Sequence, residues 1–188
     1  MGETQRSGVM QLPLEIAAWD TDLLRYLNTL FPSSTDTFWL AVTKTITWVP
    51  LYVVLLARII KSSENHSVWI FRIALLVAGV LLWDQGSGLF KQWVARPRPC
   101  HEVDGLRVLV HCSPFGFFSA HAANSFGIAF LTRRWLHSSW LPVLLLVAVL
   151  QSFSRLHLGV HYPLDLLAGA IFGFLGARLL GRIDQNFA

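Results

Sequence analysis

Residues 140–165 read WLPVLLLVAVLQSFSRLHLGVHYPLD. The first half is apolar up to Leu150, and the second sets Ser154, Arg155, His157, His161 and Asp165 directly after it. Apolar runs of this kind belong in lipid, where polar and ionisable groups are costly unless they have partners or a chemical role. The stretch therefore predicts membrane helices with a polar cluster gathered at one end.

Composition agrees. The chain has 188 residues, 54% hydrophobic and only 14% charged, with a mean hydropathy of +0.51. These values suit a small integral membrane protein better than a soluble domain. No linker, repeat or charge block divides it, so one domain over 1–188 is expected. The net charge of +4 comes from basic residues scattered among apolar runs. That pattern argues against nucleic acid and for a membrane surface or a phosphorylated lipid as partner. Residues 1–11 lack the apolar core of a signal peptide, so the later segments are expected to drive insertion.

Outward from the quoted stretch, Leu12, Ile16, Trp19, Leu23, Tyr26, Leu27 and Leu30 recur at steps of three and four. They predict an amphipathic helix over about 12–30, too charged to span and suited to the interface. Spans are predicted at about 38–60, 68–90, 118–133, 140–156 and 163–181. The fold class is thus an all-α membrane bundle of about five transmembrane helices plus the interfacial one. The proline-rich loop between the second and third spans carries Arg96, Arg98, Cys100 and Cys112.

Alternation along these spans puts Lys91, Arg98, Ser119, His121, Arg155, His161 and Asp165 on one face. The opposite face holds Arg58, Lys61, Arg72, Arg133, Arg134, Arg178 and Arg182, seven of the fifteen Lys and Arg. With Lys91, Arg98 and Arg155 set aside as functional, that is seven against five on the site face. The imbalance favours a site outside the cytoplasm. Cys100 and Cys112 are the only cysteines. Bridged, they would close the site-side loop and agree with an oxidising compartment; two unpaired loop thiols are the alternative.

Three cations on one face repel unless an anion sits between them, and phosphate best uses an Arg fork and a Lys point charge. Snorkelling to headgroups is the alternative for each cation alone. Ser119 opens the third span, where a helix N-terminus offers an anion site or where Ser is simply a cap. His121 beside these cations is placed for proton transfer. His161 precedes Asp165 by four residues, a spacing that lets the carboxylate fix one ring nitrogen and leave the other as nucleophile; a satisfied core histidine is the alternative. Ser154 is a further candidate at the phosphate, and His101 and His157 have no assigned part. No His or Cys pair has zinc-ligand spacing, so no metal is expected.

Lys91-x6-Arg98-Pro99, Phe118-Ser119-Ala120-His121 and Ser154-Arg155-x5-His161-x3-Asp165 together resemble the three-part signature of the type 2 phosphatidic acid phosphatases. The middle part departs from the family's Pro-Ser-Gly-His, with Phe118 for Pro and Ala120 for Gly, which narrows the room beside the phosphate. The resemblance implies a phosphohistidine at His161 oriented by Asp165, with His121 as acid and then base. It implies phosphoryl oxygens held by Lys91, Arg98, Ser119, Ala120, Arg155 and Ser154, and no metal or cofactor. The reaction implied is phosphate release from a lipid phosphate or diphosphate at the outer face of a bacterial inner membrane. Undecaprenyl diphosphate is the first expectation, with phosphatidylglycerophosphate, phosphatidic acid and lipid A 1-phosphate as alternatives. Related soluble haloperoxidases share these residues, but the apolar spans argue against them. A non-catalytic phospholipid-binding protein is the rival from another class, and it would have no use for His121 and His161.

Overall fold

The apolar run that begins at Val68 forms the longest membrane helix of the bundle, α4, His66–Val94. Asn65 starts it by accepting from the Val68 amide at 3.1 Å, a side-chain cap for an otherwise open N–H. The computed structural model describes residues 12–187, so the sequence reading of residues 1–11 lies outside the described residues. Among those described, the architecture is all-helical: α1 (Leu14–Thr29), α2 (Asp36–Val42), α3 (Thr45–Ser62), α4, the short α5 (Pro99–Glu102), α6 (Ala120–Thr132), α7 (Trp140–His157) and α8 (Pro163–Phe187).

Four helices are long and apolar enough to cross a membrane, namely α3, α4, α7 and α8. Two expectations need correction. The span predicted at 38–60 is broken, because Lys44 is extended between α2 and α3. Thr47 Oγ1 and Trp48 Nε1 donate to the carbonyls of Ala41 and Val42 that α2 leaves open, at 2.6 and 2.8 Å, so the break is satisfied internally. The span predicted at 118–133 is the 13-residue α6, about 20 Å long and short of a hydrocarbon core of about 30 Å. It is buried among α4, α7 and α8, which is how a helix of that length is carried inside a bundle. Among the described residues, four long helices and one short buried one therefore stand where five spans were predicted.

The core forms around Trp83 of α4, which is fully buried. Gly79 on the same helix, Gly127 of α6 and Gly176 of α8 leave no room for a Cβ against its indole. Small residues there let three helices close on one large ring. The amphipathic helix predicted near the N-terminus is α1. Its inner stripe is Asp20, Leu24 and Asn28, all fully buried, whereas Ile16, Trp19, Tyr26 and Leu30 face outward. The helix thus meets the bundle through a largely polar stripe, at the end where α4 finishes, α6 begins, α7 finishes and α8 begins.

Candidate active site

The loop from α4 to α6 is held as a clasp. Arg98 N donates to Pro114 O at 3.1 Å and Gly116 N to Arg96 O at 3.0 Å, beside a single bridge between Pro97 and Phe115. Cys100 and Cys112 are disulfide-bonded across it, their Cα atoms 6.7 Å apart. With the backbone fixed, Arg98 is steered inward: Nε donates to Phe115 O at 3.1 Å and Nη1 to Val160 O at 3.2 Å. Its guanidinium is buried, which draws its pKa below the ordinary arginine value.

The chain after α7 turns at Gly159, whose φ of +68° is in the left-handed region that favours glycine. This delivers His161 into the interior. His161 Nδ1 lies 3.2 Å from Asp165 Oδ2, and the same oxygen accepts from Tyr162 N at 3.1 Å. A carboxylate on Nδ1 fixes the tautomer and leaves Nε2 bare. Burial, then the charges of Arg98, Arg155, Lys91 and Arg96, hold His161 well below the usual imidazole value. Gly116 makes the approach possible, since a Cβ there would sit 2.9 Å from Asp165 Oδ2 and 3.2 Å from Arg98 Cγ.

Ser119 is the N-cap residue of α6, yet its side chain caps nothing. Its Oγ is buried and unpartnered, while its amide donates to Asp165 O at 3.0 Å. Ala120 opens the helix, and the first-turn amides of a helix are free to face an anion. His121 lies within electrostatic range of Arg155, His161 and Lys91. Arg155 donates through Nη1 to Thr43 Oγ1 at 2.7 Å, and its Nε is a second buried donor without a partner. Ser154 is different: its hydroxyl donates to Gln151 O at 2.6 Å within its own helix. Phe118, in the position of the motif's proline, is anchored between Phe90 and Phe172, with ring centroids 5.4 and 4.6 Å away. Ser87 Oγ donates to its carbonyl at 2.9 Å.

Some of the site was missed by sequence reasoning. Arg96, which has no assigned part in the motif, donates to Asp165 Oδ1 at 3.0 Å and to Asp20 Oδ2 at 2.6 Å, with its guanidinium 3.9 Å from the Tyr162 ring centroid. Asp20 in turn accepts from Leu164 N at 2.9 Å. His157 is a structural residue, with Nε2 2.8 Å from Asp36 Oδ1, an oxygen that Arg107 also contacts at 3.0 Å. Among the described residues, one group could hold a metal, Cys100, His101 and Cys112. Two of the three are joined to each other.

These features define a membrane helical bundle with a buried His–Asp pair facing three cations and two unused donors. The chain belongs to the PAP2 superfamily, matched over residues 67–187, and is a membrane phosphatase. It is 32% identical to a lipid A 4'-phosphatase of Bacteroides thetaiotaomicron over 85% of this chain and 74% of that one. It is 36% identical to a putative undecaprenyl-diphosphatase of Escherichia coli over 70% of this chain and 64% of that one. Its fold is like that of Aquifex aeolicus LpxE, with a TM-score of 0.75 at 21% identity over 91% of this chain and 99% of that one.

Proposed function

We propose that this chain hydrolyses a phosphate from a lipid phosphate through a phosphohistidine at His161, on the outer face of a bacterial inner membrane, with 1–188 as one phosphatase domain. The observation that carries the proposal is the His161–Asp165 pair set against Lys91, Arg98 and Arg155 with Ser119 Oγ and Arg155 Nε left unpaired. His161 Nε2 attacks phosphorus while Nδ1–H stays on Asp165. The phosphorus–oxygen bond to the lipid breaks, and His121 gives its proton to the departing oxygen. His121 then takes a proton from water, whose oxygen bonds to phosphorus as the phosphorus–Nε2 bond breaks, freeing phosphate and His161. The cations, the Ser119 hydroxyl and the α6 N-terminus bear the charge that builds on the phosphoryl oxygens.

The lipid A 4'-phosphatases of B. thetaiotaomicron and Porphyromonas gingivalis are matched over 85% and 93% of this chain. These likenesses support a phosphorylated lipid A as the first substrate to test, and the likeness to the E. coli relative supports undecaprenyl diphosphate as the second. The test is phosphate release by the purified chain across lipid A phosphates, undecaprenyl diphosphate, phosphatidylglycerophosphate and phosphatidic acid. His161→Ala should lower release by about 10³-fold or more while the protein stays folded in detergent. Turnover at the unmutated level in that variant overturns the mechanism.

A further inference from the structure

At the end of the bundle opposite His161, a cavity of about 700 Å³ lies between α8 and the chain where α6 ends. Its wall carries Arg133 and Arg134 from the C-terminal end of α6, and Arg178 and Arg182 from α8. Residues four apart share a helix face, so α8 turns both of its arginines the same way. Four like charges around one cavity repel. The acid in the wall, Asp184, is already engaged: it is buried, accepts from Trp135 Nε1 at 2.8 Å and lies 3.7 Å from Arg72 Nε. Among the described residues, no side chain accepts a hydrogen bond from the four guanidinium groups or forms an ion pair with them. Two of them are nonetheless seated. A Cβ at Gly181 would stand 2.9 Å from Arg134 Cδ and 3.4 Å from its Nη1, and Arg178 lies 5.7 Å from the Phe174 ring centroid. Snorkelling accounts for a cation at each helix end, but not for four that surround one cavity.

The cavity is also layered. Both α6 and α8 run away from the site end, so Phe130 and Phe174 stand three to four residues deeper in the bilayer than Arg133, Arg134 and Arg178. At 1.5 Å per residue that is about 5–6 Å. The two rings meet edge to face with centroids 5.0 Å apart and give the cavity an aromatic floor. On the same helix Leu175, Ile171 and Leu167 are exposed in steps of four. A cationic rim over an apolar floor matches a molecule with an anionic head and hydrocarbon chains. Phosphate oxygens suit the forks of the rim. An inorganic anion would use the rim and leave the floor idle, and a zwitterionic head would bring its own cation to the rim. Basic pockets between membrane helices take anionic headgroups for these reasons.

We infer that this cavity binds an anionic phospholipid of the leaflet opposite the catalytic end, as a structural lipid and not a substrate, with its phosphodiester held by Arg133, Arg134, Arg178 and Arg182. The test titrates the purified full chain in detergent with phosphatidylglycerol, with phosphatidylcholine of the same acyl chains and with sodium phosphate, and follows the unfolding midpoint. Phosphatidylglycerol should raise the midpoint by about 5 °C or more at saturation, and phosphatidylcholine should not. Arg134→Gln combined with Arg182→Gln should raise the phosphatidylglycerol concentration needed by about tenfold or more. Arg58→Gln combined with Lys61→Gln removes the same charge from the same end but outside this cavity, and should leave the titration as it was. An equal response to the two lipids overturns the site, because it reports only lipid solvation of the bundle, and this comparison needs no variant to fold. A response to sodium phosphate as large as that to phosphatidylglycerol, and lost in the Arg134 and Arg182 double variant, overturns it in favour of a free-anion site. Equal weakening by the two double variants also overturns it, since net charge and not the cavity then attracts the lipid. So does an unaltered titration in the folded Arg134 and Arg182 double variant.

Discussion

Arg96 and Arg98 stand two residues apart, each before a proline, and have different work. Arg98 is tied only to backbone carbonyls, which leaves its charge for an anion. Arg96 is bound to two fully buried carboxylates, Asp20 and Asp165. Burial pushes the Asp20 carboxyl above its ordinary value and Arg96 pulls it back down. Removing Arg96 strands Asp20 and takes from Asp165 the one guanidinium that hydrogen-bonds its carboxylate. Arg96→Met should therefore cost about 3–5 kcal/mol of stability, the range for breaking a buried pair, and should slow turnover because Asp165 loses its anchor. Arg98→Met should slow turnover at least as much with a much smaller loss of stability. Unfolding midpoints in detergent, read beside kcat/KM, check both; equal destabilisation by the two variants would contradict this division. The sequence distinguishes Arg98 by its spacing from Lys91, but Arg96 reaches an acid 76 residues away. Asp20 itself reads only as a charge that keeps α1 out of the membrane. Gly116 was equally hidden, because its role is to be absent where Arg98 and Asp165 meet.

At the level of elements, the apolar run at 140–156 matches α7 to one residue, whereas α8 extends well past the run at 163–181. Membrane helices must satisfy their backbones internally and so continue beyond the apolar stretch. The apolar runs did not reveal the break at Lys44, where side chains of the following helix close the open carbonyls, nor the shortness of α6, whose N-terminal flank at Ser119 is buried. The amphipathic pattern found α1 but not what its inner face does. Asn28 donates to the carbonyls of Arg107, Leu156 and His157 at 3.2, 3.0 and 2.8 Å and accepts from Arg107 N at 2.8 Å. One side chain thus fastens the site-side loop to the end of α7, just ahead of the turn that delivers His161. Asn28→Ala should destabilise the protein by about 2–4 kcal/mol, since it orphans several buried backbone groups at once. It should also speed hydrogen exchange across 156–162 and lower turnover severalfold without touching substrate. Unchanged exchange there would show that α1 is an anchor in the interface and not a brace for the site.

At the scale of the whole molecule, the convergence of seven chemistry-bearing residues on one end was legible from alternation alone, and the correction to α6 leaves it standing because α6 still begins at the site end. The opposite end gathers Arg133, Arg134, Arg178 and Arg182 around a cavity of about 700 Å³, where they suit the cytoplasmic side of a membrane. The bridged pair in the clasp suits an oxidising compartment beyond the other face. Both lead to one expectation about orientation. Because Cys100 and Cys112 are the chain's only cysteines, labelling can read that orientation without ambiguity. After treatment of cells with an impermeant reductant, and with the outer barrier opened where one exists, an impermeant maleimide should label the chain while the inner membrane is intact. Replacing both cysteines by serine should abolish the signal. Labelling that appears only once the inner membrane is permeabilised would place the His161 end in the cytoplasm, and the substrate would then have to be a lipid phosphate presented on that leaflet.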